Sequence, residues 1–124
     1  IVQGHVDGVG TVVATAERDD AWLIDVALPA ELVELMVPHG SITVDGVSLT
    51  VNSLPAPGIV QLSIIEYTRR HTTLGARRVG DPVHVEGDVV AKHVRRLVAP
   101  HRKGALGAAP ASPDPTPLAV GAVV

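Results

Sequence analysis

The 124-residue sequence contains no cysteine. Disulfides, thiolate metal centres and a thiol nucleophile are therefore excluded. The absence suits a reducing, cytoplasmic compartment. Phenylalanine is also absent, and there is one tryptophan, Trp22, and one tyrosine, Tyr67. Any core must be aliphatic, and the stacking aromatics of a single-strand nucleic-acid binder are missing. The formal net charge of −3 gives no basic footprint for nucleic acid. No apolar run approaches the ~20 residues of a membrane-spanning helix. Asp7, Glu17 and Arg18 interrupt the start, so it does not read as a secretory leader. The first residue is Ile1, not Met, and the text is strand-like from the outset (Ile1-Val2-Gln3-Gly4-His5-Val6), which suggests a piece of a longer chain.

What is present is a normal globular balance, 46% hydrophobic and 19% charged. The length allows one domain. Valine dominates, and β-branched residues favour strands.

The pattern along the chain agrees. Residues 9–16 and 22–28 are short, β-branched segments separated by Asp19-Asp20, and they read as a hairpin ended by Pro29. Residues 30–37 change period: Leu32, Leu35 and Met36 share one helical face between Pro29 and Pro38. Residues 41–54 carry Asp45-Gly46, a strong signal for a type I′ hairpin turn, flanked by alternating apolar positions. Ser48 and Thr50 then share one strand face. Pro55, Pro57 and Gly58 make a loop, 59–65 a strand, 66–73 a polar turn and 82–86 a short strand. Residues 89–98 form a closing helix, with Val90, Val94 and Leu97 on one side and Lys92, Arg95 and Arg96 on a solvated one. Residues 99–124 are read as a disordered tail rich in Pro, Ala and Gly, since Pro110, Pro113, Pro115 and Pro117 oppose helix and ladder alike. No internal repeat appears. The expectation is an all-β domain over residues 1–98, a small antiparallel barrel whose topology the pattern leaves open.

Four stretches carry a family resemblance: Val2-Gln3-Gly4-His5-Val6-Asp7-Gly8; Gly40-Ser41-Ile42-Thr43-Val44-Asp45-Gly46-Val47-Ser48-Leu49-Thr50-Val51; Thr68 with Thr72-Thr73-Leu74-Gly75; and Gly80-Asp81 through Val85-Glu86, Asp88 and Lys92 to Leu97. In this order and spacing the chain resembles the C-terminal lumazine-binding half of riboflavin synthases. The resemblance implies a six-stranded antiparallel Greek-key barrel, with a short helix between strands and a C-terminal helix. It implies one bound 6,7-dimethyl-8-ribityllumazine per barrel. It further implies a transferase that dismutates two such molecules to riboflavin and 5-amino-6-ribitylamino-uracil. In the family the site forms between the N-terminal barrel of one subunit and the C-terminal barrel of another in a homotrimer, and the C-terminal helix makes trimer contacts. No metal or organic cofactor is implied.

Carried onto this sequence, the resemblance implies catalytic roles for His5, Ser48 and Asp88. It implies substrate contacts for Gly4, Ser48, Thr50, Ile65 and Thr68: Ser48 and Thr50 on the ring, Ile65 as its wall, Thr68 at the ribityl chain, His5 in proton transfer. Each residue also has a plain reading. Ser48 and Thr50 are polar-face strand residues, His5 a surface histidine, Thr68 a turn residue, Asp88 a helix cap and Asp45 a turn residue. His39, His71, His84 and His93 are too scattered for a metal site. Three positions depart from the family habit: Glu66 stands for Pro, His84 for Asn and His39 for Lys. The preceding barrel is absent from the sequence, so its share of the site has no residues here. A non-catalytic lumazine- or flavin-binding relative of the same fold is the alternative, and a ligand-free structural barrel a third reading. The retained His5, Ser48, Thr50 and Asp88 favour the enzyme.

Overall fold

The structure, a computed structural model, describes residues 1–106. Six strands are present: β1 (Gly8–Arg18), β2 (Ala21–Ala27), β3 (Ser41–Val44), β4 (Val47–Ala56), β5 (Ile59–Ile64) and β6 (Pro82–Gly87). They form a closed antiparallel barrel in the order β1-β2-β5-β4-β3-β6, and β6 returns to β1. The consecutive strands β3, β4 and β5 lie side by side and β2 lies next to β5, a Greek key. Closure leaves no strand without a neighbour on both sides.

Inside, the core is aliphatic, as the composition requires. Val12, Ile24, Val26, Ile42, Val44, Val51, Val60, Leu62, Ile64, Val83 and Val85 are buried together. Burying each such side chain stabilises the fold by about 1.5–3 kcal/mol before chain entropy is subtracted. α1 (Ala30–Val33) brings Leu32 into that cluster, and the turns after it bring Leu35 and Met36. The helical period read over 30–37 thus predicts the burial, but the helix itself is a single turn. Gly10 on β1 is required by crowding. A Cβ there would stand 2.8 Å from Val26 Cγ1 and 2.9 Å from the Ala27 carbonyl oxygen.

The β3–β4 hairpin follows its sequence signal. Asp45 and Gly46 both have positive φ, 48° and 80°, as a type I′ turn demands. Asp45 does more than turn the chain. Its carboxylate accepts from the His84 amide at 2.8 Å and from Arg77 Nε at 2.9 Å, tying the hairpin to β6. His39 also has positive φ (68°), a conformation that His tolerates better than most residues.

Several expectations need correction. Residues 55–56 are extended, not a loop. Two irregularities, between Val51 and Ser53 and between Ser53 and Ala56, let β4 carry Pro55 without losing a regular ladder bond. The polar turn is a helix, α2 (Glu66–His71), followed by a 3₁₀ turn (Thr73–Ala76). α2 opens on Glu66, which pairs with Arg70 at 2.8 Å. A first helical position accepts either a proline or an acid, which is why the departure at Glu66 leaves the element intact. The last helix, α3 (Val89–Leu106), runs beyond Val98. The remaining residues of the expected tail, 107–124, lie outside the described residues. Finally, Lys92 is not on a solvated face: its Nζ sits 2.8 Å from Asp7 Oδ2, because Asp7 is anchored on the barrel directly opposite. Val90, Val94 and Leu97 face solvent instead, with more than half of each accessible, as Arg96 also does.

Candidate functional site

Side chains alternate across a strand, so the residues of β4 that do not point inward form a row on the outside. Ser48 and Thr50 are in that row, and both are exposed. Across the hairpin Ser48 pairs with Thr43 and Thr50 with Ser41. Thr43 pairs in turn with Glu86 of β6. A line of polar groups, Glu86–Thr43–Ser48, therefore crosses three strands on one face. With strands ~4.8 Å apart, it spans roughly 10 Å.

The other flank of β4 is open along part of its length. Pairs between β4 and β5 run from Val51–Leu62 to Ala56–Ile59. Val47–Thr50 pair with β3 on one side, and among the described residues the ladder to β5 does not continue past Val51 on the other. Backbone donors and acceptors on that flank are available to something else. Ile65 follows the end of β5, exposed, on the far bank of this split. Thr68 lies half-buried on α2 just beyond, with its carbonyl accepting from Thr72 Oγ1 at 2.7 Å.

Residues before β1 cross the outer face of β6 as a strap. The carboxylate of Glu86 accepts two backbone amides, Gln3 at 2.8 Å and Gly4 at 3.1 Å. Gly4 takes a positive φ of 76° there, which a glycine adopts without penalty. The Asp7 amide donates to the Val85 carbonyl at 2.9 Å, and Asp7 Oδ2 accepts from the Gly87 amide at 2.7 Å. Beneath the strap, Glu86 and Thr43 are 3% and 5% exposed, the two buried polar residues among those described. A cavity of about 320 Å3 adjoins the strap, lined by Val2, Gly4, Thr43, Arg77, His84 and Glu86.

The residues singled out from the sequence are thus distributed over one side of the barrel. Ser48 and Thr50 stand together, and Glu86 and Thr43 link their row to Gly4. Ile65 and Thr68 occupy the opposite bank. His5 sits exposed on the strap. Asp88 follows the end of β6, and its carboxylate accepts the Ala91 amide at 3.0 Å, which makes it the cap of α3. Among the described residues, no hydrogen bond joins His5, Ser48 and Asp88 to one another. Glu86, Asp7, Thr43 and Lys92 were not read as part of the site. All four stand inside the motif blocks, but only their pairing across the sheet reveals what they hold. Strict alternation offers a partial signal: Glu86 follows Val83 and Val85 at the outward position of a strand whose neighbours are apolar.

Comparison with known proteins points one way. A family model described as the lumazine binding domain matches residues 3–88. The riboflavin synthase of Mycobacterium tuberculosis is 46% identical over 100 residues, covering 79% of this chain and 50% of the relative. That of Bacillus subtilis is 35% identical over 97 residues, covering 78% and 45%. The chain therefore spans about half the length of the curated relatives it matches. Among solved structures, LumP complexed with 6,7-dimethyl-8-(1'-D-ribityl) lumazine superposes with a TM-score of 0.65 at 25% identity, over 72% of this chain and 49% of that one. LumP complexed with riboflavin superposes with a TM-score of 0.66, also at 25% identity, over 72% and 47%.

Proposed function

The chain belongs to the lumazine-binding domain family, and on that premise we propose that it is the C-terminal lumazine-binding half of a riboflavin synthase. In this reading it holds one 6,7-dimethyl-8-ribityllumazine on the outer face at the β4–β5 split. With a second barrel, it passes a four-carbon unit between two such molecules, giving riboflavin and 5-amino-6-ribitylamino-uracil.

The observation that carries the reading is the split itself, bordered by Ser48 and Thr50. A pyrimidinedione edge presents alternating amide donors and acceptors, the same groups that a strand presents to its neighbour. An unpaired strand flank therefore receives that edge in place of a further strand. Ser48 and Thr50 donate and accept beside the ring, Ile65 covers its apolar side, and Gly4 lets the backbone approach closely. Thr68 lies where a polyol chain extends from the ring toward α2. His5, on the open strap, serves proton transfer, and Asp88 contributes a carboxylate beside its capping role. Typical proton-transfer assistance of this kind is about 10²–10⁴-fold. Holding two reactants face to face supplies the larger part, about 7–11 kcal/mol in favourable intramolecular cases. No metal or organic cofactor has a role in this scheme.

The face is open to solvent, as a half-site is before a second barrel covers it. The exposed Val90, Val94 and Leu97 on α3 support a homotrimer assembled through that helix. A cytoplasmic location accords with the lack of cysteine. The likeness to LumP favours a second reading, a non-catalytic lumazine- or flavin-binding protein.

A fluorescence titration with riboflavin and with 6,7-dimethyl-8-ribityllumazine tests the binding. Saturable binding lost in a Ser48→Ala/Thr50→Ala double variant is expected, and no binding to the chain, alone or mixed with an N-terminal-type barrel, would sink the proposal. Turnover to riboflavin in that mixture separates the enzyme from the fluorophore carrier, and little turnover is expected from the chain alone.

A further inference from the structure

The strap before β1 is held at two points and free between them. Glu86 takes Gln3 and Gly4 on one side, and Asp7 takes Gly87 on the other. Only His5 and Val6 lie between these anchors. The second anchor is braced. Asp7 Oδ2 also meets Lys92 Nζ at 2.8 Å, and Lys92 belongs to the first turns of α3, where its own amide donates to the Asp88 carbonyl at 3.0 Å. Asp88 follows Gly87, the residue that Asp7 binds. So Asp7, Gly87, Asp88 and Lys92 close a ring of contacts that fixes the start of α3 against the strap.

These contacts are unusual for a barrel exterior. A carboxylate buried to 3% exposure is costly unless its oxygens are fully used, and Glu86 uses both on the strap backbone. The barrel does not need them for closure, because β6 already pairs with β1 over Pro82–Val85 and with β3 over Val85–Gly87. What they fix is the place of His5 relative to Asp88 and to the Ser48 row.

We propose that Glu86 and Asp7 are positioning residues: with Lys92 they clamp the strap so that His5 and Asp88 stand at set places around the bound ring. The proposal rests on the ligand reading given above for the same face. Neither carboxylate touches the ligand in this scheme; each acts through the backbone it holds.

The test uses the whole 124-residue chain and 6,7-dimethyl-8-ribityllumazine as the probe. Glu86→Gln, Asp7→Asn, His5→Ala and the two doubles with His5→Ala are titrated by fluorescence. Backbone order at His5 is read by ¹⁵N relaxation. Val60→Ala, in the core away from the strap, controls for general loss of stability. Glu86→Gln and Asp7→Asn should each make His5 mobile and weaken binding about tenfold, the loss set by one charge-assisted hydrogen bond. The doubles should lose little beyond His5→Ala alone, because both changes act through one group. Val60→Ala should lower Tm while leaving His5 order and affinity unchanged. Additive losses in the doubles, or an ordered His5 in both single variants, would overturn the clamp. If the wild-type chain binds neither alone nor mixed with an N-terminal-type barrel, the ligand reading fails, and the relaxation data still decide whether Glu86 and Asp7 hold His5.

Discussion

The β1–β2–β5 side and the β6–β3–β4 side of the barrel obey the same alternation but use it differently. On the first side the buried residues are mostly those that point inward, such as Val12, Ile24, Val26, Val60 and Leu62, with Leu23 an apolar exception on the outer face. On the second the inward set is equally apolar, yet Glu86 and Thr43, pointing outward, are buried as well, because the strap lies over them. One side is held mainly by area removed from water, with the Arg69–Glu17 pair and the Arg69–Trp22 contact at its surface. The other adds charge-assisted hydrogen bonds in a place where they order a surface. In the proposed reading the difference separates stability from function: the first side keeps the barrel closed, and the second presents backbone and hydroxyl groups to a ligand.

Substitutions on the two sides should therefore diverge. The largest loss of stability is expected from Ile24→Ala, about 2–5 kcal/mol from lost transfer energy and the cavity left behind. Urea unfolding measures it, and lumazine affinity of the folded fraction should not change. Glu86→Ala should cost about 1–3 kcal/mol, since it strands two amides, while also weakening the ligand. A pure stability effect in Glu86→Ala, with affinity intact, would erase the contrast between the sides. Asp88→Ala removes the cap of α3 and should cost about 1 kcal/mol, seen as reduced helical signal and Tm. Ser48→Ala should leave stability within about 0.5 kcal/mol, as for an exposed position. Its ligand affinity should nevertheless fall by about 1–3 kcal/mol if the hydroxyl bonds the ring. Arg70→Ala, breaking the exposed pair with Glu66, should change stability least, by roughly 0.3–0.5 kcal/mol, and binding not at all.

Much of the fold is legible in the residues. The Asp45-Gly46 turn, the alternation through Ser48 and Thr50 and the burial of Leu32, Leu35 and Met36 are local properties, written at spacings of two or of three and four. α2 is not legible. Glu66–His71 has no buried residue, so it shows no apolar period, and its support comes from Arg69, which lies 4.2 Å over the Trp22 ring and pairs with Glu17 on the distant β1. The length of α1 escapes for a related reason: one turn is enough to deliver Leu32, and packing rather than propensity ends it.

The candidate site divides in the same way. Ser48, Thr50, Gly4, His5, Thr68 and Asp88 stand in the motif blocks, and Ile65 between two of them, with nothing in the sequence to say what stands beside each. By itself the sequence determined a cysteine-free, valine-rich β domain, its tight hairpin and the outward row of hydroxyls, because each depends on residues close along the chain. Only the tertiary structure decided that the ladder between β4 and β5 stops at Val51–Leu62, and that Glu86 and Gly87 hold a strap some eighty residues away in sequence. Those contacts join groups whose spacing no local period encodes. They come into being only when closure of the barrel brings β6 beside β1 and β3.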